Sequence, residues 1–165
     1  MTTPNPVGDL AQLILANVNA TFEEAGVDLP TVQMLVLGGQ GTVAQLCEQL
    51  SVSVEQMYSG TPGDQAQVAV RCDAPRTTSF AVELVRCAPT GTARGRSTPL
   101  PAAEDAAQQS EVALARMLDM DLLMTAGMNA CEATWFGTGI VDISAGPPSG
   151  GFQSLVLSIA TVVGG

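Results

Sequence analysis

The hydrophobic period changes along this chain, and those changes limit its fold more than any other feature. Leu10, Leu13, Ile14, Val18 and Phe22 recur at helical spacing, with Gln12, Asn17 and Asn19 off the stripe. The period then drops to two. Val32 to Leu37 reads as a short strand. Leu50, Val52 and Val54 alternate with Ser51, Ser53 and Glu55 on a strand running to about Tyr58. Val68 and Val70 alternate with Gln67, Ala69 and Arg71, giving a third strand to about Cys72. Phe80, Val82 and Leu84, with Arg86 continuing the line, alternate with Ala81, Glu83, Val85 and Cys87. From Ala102 to about Ala130 the chain is rich in Ala, Leu, Met, Glu and Gln, all good helix formers. Period two returns at 140–143 and 153–163, where Leu155, Leu157 and Ile159 alternate with Ser154, Val156 and Ser158. Helix, four strands, long helix, two strands predicts an α+β fold: a mainly antiparallel sheet of about five to six strands, covered by an N-terminal and a long central helix. At 165 residues without an internal repeat, 1–165 reads as one domain. Residues 1–7 read as a flexible lead and 89–101 as an exposed loop.

Capping and turn residues set the expected boundaries. Asp9 is placed to cap the first helix and Gly26 to end it as the residue just past its C-cap. Ser59 to Asp64 (SGTPGD), Asp73 to Arg76 and Ser144 to Gly151 (SAGPPSGG) read as loops or turns. Ser97 or Thr98 would cap the long helix with Pro99 in its first turn, and Glu104 and Asp105 complement its dipole. Gly127 marks a weak C-terminal end.

Composition then narrows the chemistry. The chain has no histidine and no lysine, so all six basic residues are arginine. That excludes His-based catalytic sets, His-ligated metals, Walker-type phosphate loops and Schiff-base chemistry. A net charge of −10 argues against a protein that grips nucleic acid phosphates. The charge is partitioned. Residues 1–64 hold seven acids and no base, whereas all six arginines lie between Arg71 and Arg116. Two readings fit: arginines that simply accumulate on one loop and two strand ends, or an acidic and a more basic region that meet head to tail between copies. Only 13% of residues are charged, which leaves a small-residue surface suited to protein contact. Met1 to Asp9 lacks the positive segment of a secretory leader, and no apolar run approaches the roughly 20 residues of a membrane span. A soluble chain made in a cytoplasm is expected. There its four cysteines, Cys47, Cys72, Cys87 and Cys131, would be reduced, small and buried. A hairpin of 67–73 with 78–87 would hold Cys72 and Cys87 too far apart to bridge.

Other constellations are weak. Gly39-Gln-Gly41-Thr-Val-Ala44 fits a G-x-G-x-x-A dinucleotide fingerprint, but no further βα units follow and no acid stands at the end of the next strand. A glycine-rich turn accounts for it better. Glu23/Glu24, Glu104/Asp105 and Asp119/Asp121 are too close in sequence to share a helix face. Glu83 reads as an acid in structural pairing with Arg71 or Arg86. Met117, Met120, Met124 and Met128 form a stripe that reads as core filler, and Trp135-Phe136 also reads as core. No enzyme is expected, and no cofactor or metal.

Three segments carry a resemblance. They are Gln49-Leu-Ser-Val-Ser53 through Tyr58-Ser-Gly-Thr-Pro-Gly63, Phe80-Ala-Val-Glu-Leu-Val-Arg-Cys-Ala-Pro89, and Gly146-Pro-Pro-Ser-Gly-Gly151. Together with the element order over roughly residues 8–163, they resemble the tail-terminator proteins of long-tailed (siphovirus-type) actinobacterial phages. The family pattern would place a cysteine after the last turn, where this chain has Phe152. The resemblance implies a homohexameric virion ring at the tail–neck junction, assembled in the host cytoplasm. It would cap the tail tube, stop its polymerisation and join it to the head–tail connector, with phage DNA passing through unbound. Arg94 and Arg96, the loop residues Tyr58, Thr61, Pro62 and Asp64, and Arg76 are the expected contact residues with neighbouring copies, tube or connector. The alternatives are another neck or head–tail connector protein, a monomeric virion or adaptor protein, and a small cytoplasmic nucleotide-binding protein using the Gly38–Gly41 turn.

Overall fold

A computed structural model of the chain describes residues 5–38, 48–63, 74–87, 103–133, 139–146 and 152–163. These form two helices and five strands: α1 (Pro6–Glu24), β1 (Gln33–Leu37), β2 (Gln49–Ser59), β3 (Arg76–Cys87), α2 (Ala103–Glu132), β4 (Gly139–Ala145) and β5 (Phe152–Val163). The fold is α+β, as the change of period predicts. The strand expected at 67–72, the expected capping residues of α2 and Trp135-Phe136 lie outside the described residues.

Helix α1 forms because its apolar stripe and both its ends are satisfied. Leu10, Ala11, Ile14, Val18 and Phe22 are buried along one face, worth about 1.5–3 kcal/mol for each large side chain. The cap differs from expectation. Asn5, not Asp9, begins the helix: its Oδ1 accepts from the Gly8 N–H at 3.0 Å, with proline in the first turn. Asp9 lies within the first turn instead. The far end closes as expected through Gly26, whose φ of 66° suits a residue without Cβ. Gly26 N–H donates to the Glu23 carbonyl at 3.0 Å and Val27 N–H to the Phe22 carbonyl at 2.9 Å, the paired bonds of a Schellman motif.

The sheet runs β1-β2-β3-β5-β4, with β3 at its centre. Three neighbouring pairs are antiparallel and β1–β2 is parallel. The short edge strand is fastened to α1 by a reciprocal amide pair. Asn19 Nδ2 donates to Gln33 Oε1 at 3.0 Å, and Gln33 Nε2 returns a bond to Asn19 Oδ1 at 2.9 Å. The alternation in β2 is broken once: Val54 faces Phe80 but Gln56 faces Ser79, so Glu55 is the extra residue of a bulge. Beyond it Met57 is exposed.

Leu50, Val52, Phe80, Val82, Leu84, Leu155, Leu157 and Ile159 share one sheet face and pack in a single cluster with both helices. From α2 the cluster takes Leu123, Ala126, Ala130 and Cys131. The Met stripe is therefore only partly core: Met120 packs against the cluster and Met124 is half-buried, while Met117 and Met128 are exposed. Spacing of three and four describes every line along a helix, and the sheet takes the neighbouring one. Gly127 does not end the helix either. A Cβ there would stand 3.0 Å from both Leu157 Cδ2 and Val141 Cγ1, so the missing side chain lets α2 approach β4 and β5 closely. No described helix is long and apolar enough to cross a membrane.

Candidate functional site

The two ends of the sheet differ in chemistry. At one end β2 leaves through Ser59 and β3 enters at Arg76, which faces Ser59 on one side and Val163 on the other. Two hydrogen bonds tie the described residues of this corner. Gly60 N–H donates to the Pro75 carbonyl at 2.8 Å, and the buried Thr77 Oγ1 donates to the Gly60 carbonyl at 2.6 Å. Gly60 has φ 130°, which a side chain would strain. The loop continues to Gly63, where a Cβ would stand 2.9 Å from Ile140 Cδ1, so it lies against the start of β4. Thr61 is exposed and Tyr58 and Pro62 are half-buried. Arg76 is exposed, and the ion pairs among the described residues are made by Arg86 and Arg116 instead. Four of the expected contact residues, Tyr58, Thr61, Pro62 and Arg76, thus meet at one corner. Asp64, Arg94 and Arg96 lie outside the described residues, as does the Gly39–Gly41 turn.

At the other end charge is buried. Period two carries Arg86 onto the core face behind Phe80, Val82 and Leu84, and only 9% of it is exposed. There its guanidinium engages three parts of the chain. Nε and Nη2 donate to the two carboxylate oxygens of Asp119 on α2, at 3.3 and 3.2 Å. Nη2 also donates to the Asp28 carbonyl at 2.7 Å, and Nη1 to Glu48 Oε2 at 3.2 Å. Arg116, one turn before Asp119, pairs with the same carboxylate. Two guanidinium groups and two carboxylates balance the seam, and the planar fork suits bidentate contact. Asp121, two residues on, is exposed, so Asp119 and Asp121 do not share a face.

This rules out Arg86 as the expected partner of Glu83, while the alternative partner, Arg71, lies outside the described residues. Glu83 stands three positions before Arg86, an odd offset, so the two point to opposite sheet faces and cannot pair. Glu83 faces Ser51 and Val156 in register. It has no hydrogen-bond or ion-pair partner among the described residues, and burial pushes its carboxyl up from the ordinary value of 4.5. Sequence reasoning missed Asp119 because its partner is 33 residues away. The signal available was an arginine continuing an apolar strand line, which requires an acid from elsewhere.

The cysteines divide. Cys131 is a buried thiol, and burial pushes it up, which keeps it protonated. Cys87 is exposed at the end of β3 and disulfide-bonded, its partner lying outside the described residues. The expectation of four reduced, buried thiols is therefore wrong for Cys87, because a strand terminus is open to a neighbouring segment in a way that a core position is not. Phe152, which stands where the family pattern would place a cysteine, lies opposite Cys87 in register. No group of His, Cys, Asp or Glu among the described residues is placed to hold a metal ion.

Comparison with known protein families and with curated proteins finds no match for the chain.

Proposed function

We propose that the chain is a tail terminator of a long-tailed actinobacterial phage, a homohexameric ring that caps the tail tube, stops its growth and meets the head–tail connector. The observation that carries this reading is the placement of the three resembling segments. The first is β2 with its loop, the second runs along β3, and the third joins β4 to β5. Since β2, β3 and β5 are neighbours, the signature belongs to one continuous sheet.

The chemistry supports a scaffold that makes contacts. The corner at Tyr58, Thr61, Pro62 and Arg76 offers a loop fixed by backbone bonds and an exposed guanidinium. In a chain of net charge −10 an exposed arginine meets acidic surface on a neighbouring copy readily, which suits head-to-tail ring closure. An acidic wall repels phosphate, so DNA passes a lumen of this protein without being held.

The test is tube growth. The purified chain is added to polymerising tail tube protein, and tube lengths are measured by electron microscopy. Tubes stop growing and carry a ring at one end on this reading. Tubes that lengthen as before, with bare ends, would contradict it.

A further inference from the structure

Only half of helix α2 is used by its own fold. Asp119 meets Arg86 near the end of β3, a Cβ on Gly127 would touch Leu157, and Cys131 Sγ lies against Gly139 at the start of β4. Leu157 pairs with Val82, and Gly139 pairs with Thr161, itself the partner of Thr78. The helix therefore travels from the Arg86 end of the sheet toward the Arg76 end. Its residues before Asp119 run past the sheet, by about 20 Å for residues 106–118. They are nearly bare: only Val112 and Arg116 of that stretch are half-buried.

The bare surface is patterned. Glu111, Leu114, Leu118 and Asp121 follow at spacings of three, four and three, so they form one line along the helix, with Met117 beside it. All five are exposed, Leu114 at 65% and Met117 at 64%. Large apolar side chains set side by side, with an acid at either end, mark a protein-binding surface rather than a solvated face.

Charge decides what covers it. Two such stripes laid antiparallel, Leu114 against Leu118, would set Glu111 against Asp121. Laid parallel, they would set each acid against its own copy, and both arrangements repel. The partner must bring apolar surface and a cation. A second copy has both at the other end of its sheet. Arg76 is the exposed arginine among the described residues, and none of their acids pairs with it, the bulge residue Glu55 included. On the same sheet face Met57 stands opposite Thr78, two residues from Arg76, and Leu37 stands beside Val54 on the edge strand. Leu37 is 88% and Met57 48% exposed.

We propose that this corner of one copy docks on the α2 stripe of the next. Leu37 and Met57 cover Leu114, Met117 and Leu118, and Arg76 meets the acids that frame them. The two surfaces differ and lie toward opposite ends of the molecule, so the contact is heterologous and must close into a ring or run on. The proposal rests on the ring reading for that closure and adds to it the surface that receives the corner.

Light scattering on size-exclusion chromatography tests this, with melting curves as the control for folding. Arg76→Glu alone, and Glu111→Arg with Asp121→Arg in another chain, should each weaken assembly at least about tenfold. All three substitutions in one chain should restore it, because the reversed charges match again. Leu114→Gln should weaken assembly with the charges left native, and it reads the same surface should the stripe variant not fold. A wild-type assembly that the single-surface variants leave intact would overturn the docking and leave the ring standing. A triple variant as dissociated as either parent would also overturn it. A wild-type chain that stays monomeric, alone and with tail tube protein, would overturn both the docking and the ring.

Discussion

The seam at Arg86 and the corner at Arg76 stand at opposite ends of the same central strand, and they use arginine in opposite ways. Arg86 is buried among acceptors from three parts of the chain, its charge matched within the molecule. Arg76 is exposed, with backbone hydrogen bonds rather than ion pairs shaping its surroundings. Position along an alternating strand decides the difference. Arg86 follows the apolar line into the core, whereas Arg76 is the first residue of β3, at the rim of the sheet. One arginine is committed to holding the fold, and the other stands exposed at the rim.

Removing the buried charge should have the largest effect. Arg86→Ala leaves Asp119 with Arg116 alone and the Asp28 carbonyl without its donor, and should cost about 3 kcal/mol in urea unfolding. A cost close to zero would mean that the seam is not a fold determinant. Filling the close approach of α2 comes next. Gly127→Leu should cost about 2 kcal/mol, the overpacking against Leu157 and Val141 outweighing the gain in helix propensity. At the corner, Thr77→Val removes one hydrogen bond to Gly60 and should cost about 1 kcal/mol.

Glu83 sharpens the comparison by pH. Its folded carboxyl titrates above its unfolded value, so between the two the native state binds more protons than the unfolded chain. Its contribution to stability is therefore fullest below 4.5 and falls as pH rises through the folded pKa. Glu83→Gln should raise the unfolding midpoint at pH 7 and flatten that decline. An unchanged pH profile would show that the carboxylate is well solvated. Arg76→Glu should have the smallest effect on folding, leaving the melting temperature unaltered while it impairs ring closure.

Local pattern made much of this fold legible. The α1 stripe, the Gly26 terminus and the core line of β3 through Arg86 each depend on residues a few positions apart, which the sequence displays directly. What depended on distant partners was not legible. The parallel direction of β1 against β2 is set by the path between them, not by the alternation in either. Gly127 reads as a weak helix end by propensity, yet contact with β4 and β5 explains it. The Met stripe fits helical spacing as well as the buried line does, and only the sheet chooses between them. At the site, the 58–63 loop was readable from its glycines and proline. The Asp119 partner of Arg86 and the disulfide of Cys87 were not, since pairing of that kind leaves no local mark.

The central claim is that this scaffold works as a ring, and the mass of the assembly tests it most directly. Light scattering coupled to size-exclusion chromatography should give six times the 16.9 kDa chain mass at high concentration or on mixing with tail tube protein, and Arg76→Glu should shift that species toward monomer. A wild-type chain that elutes as a strict monomer under both conditions would contradict the account.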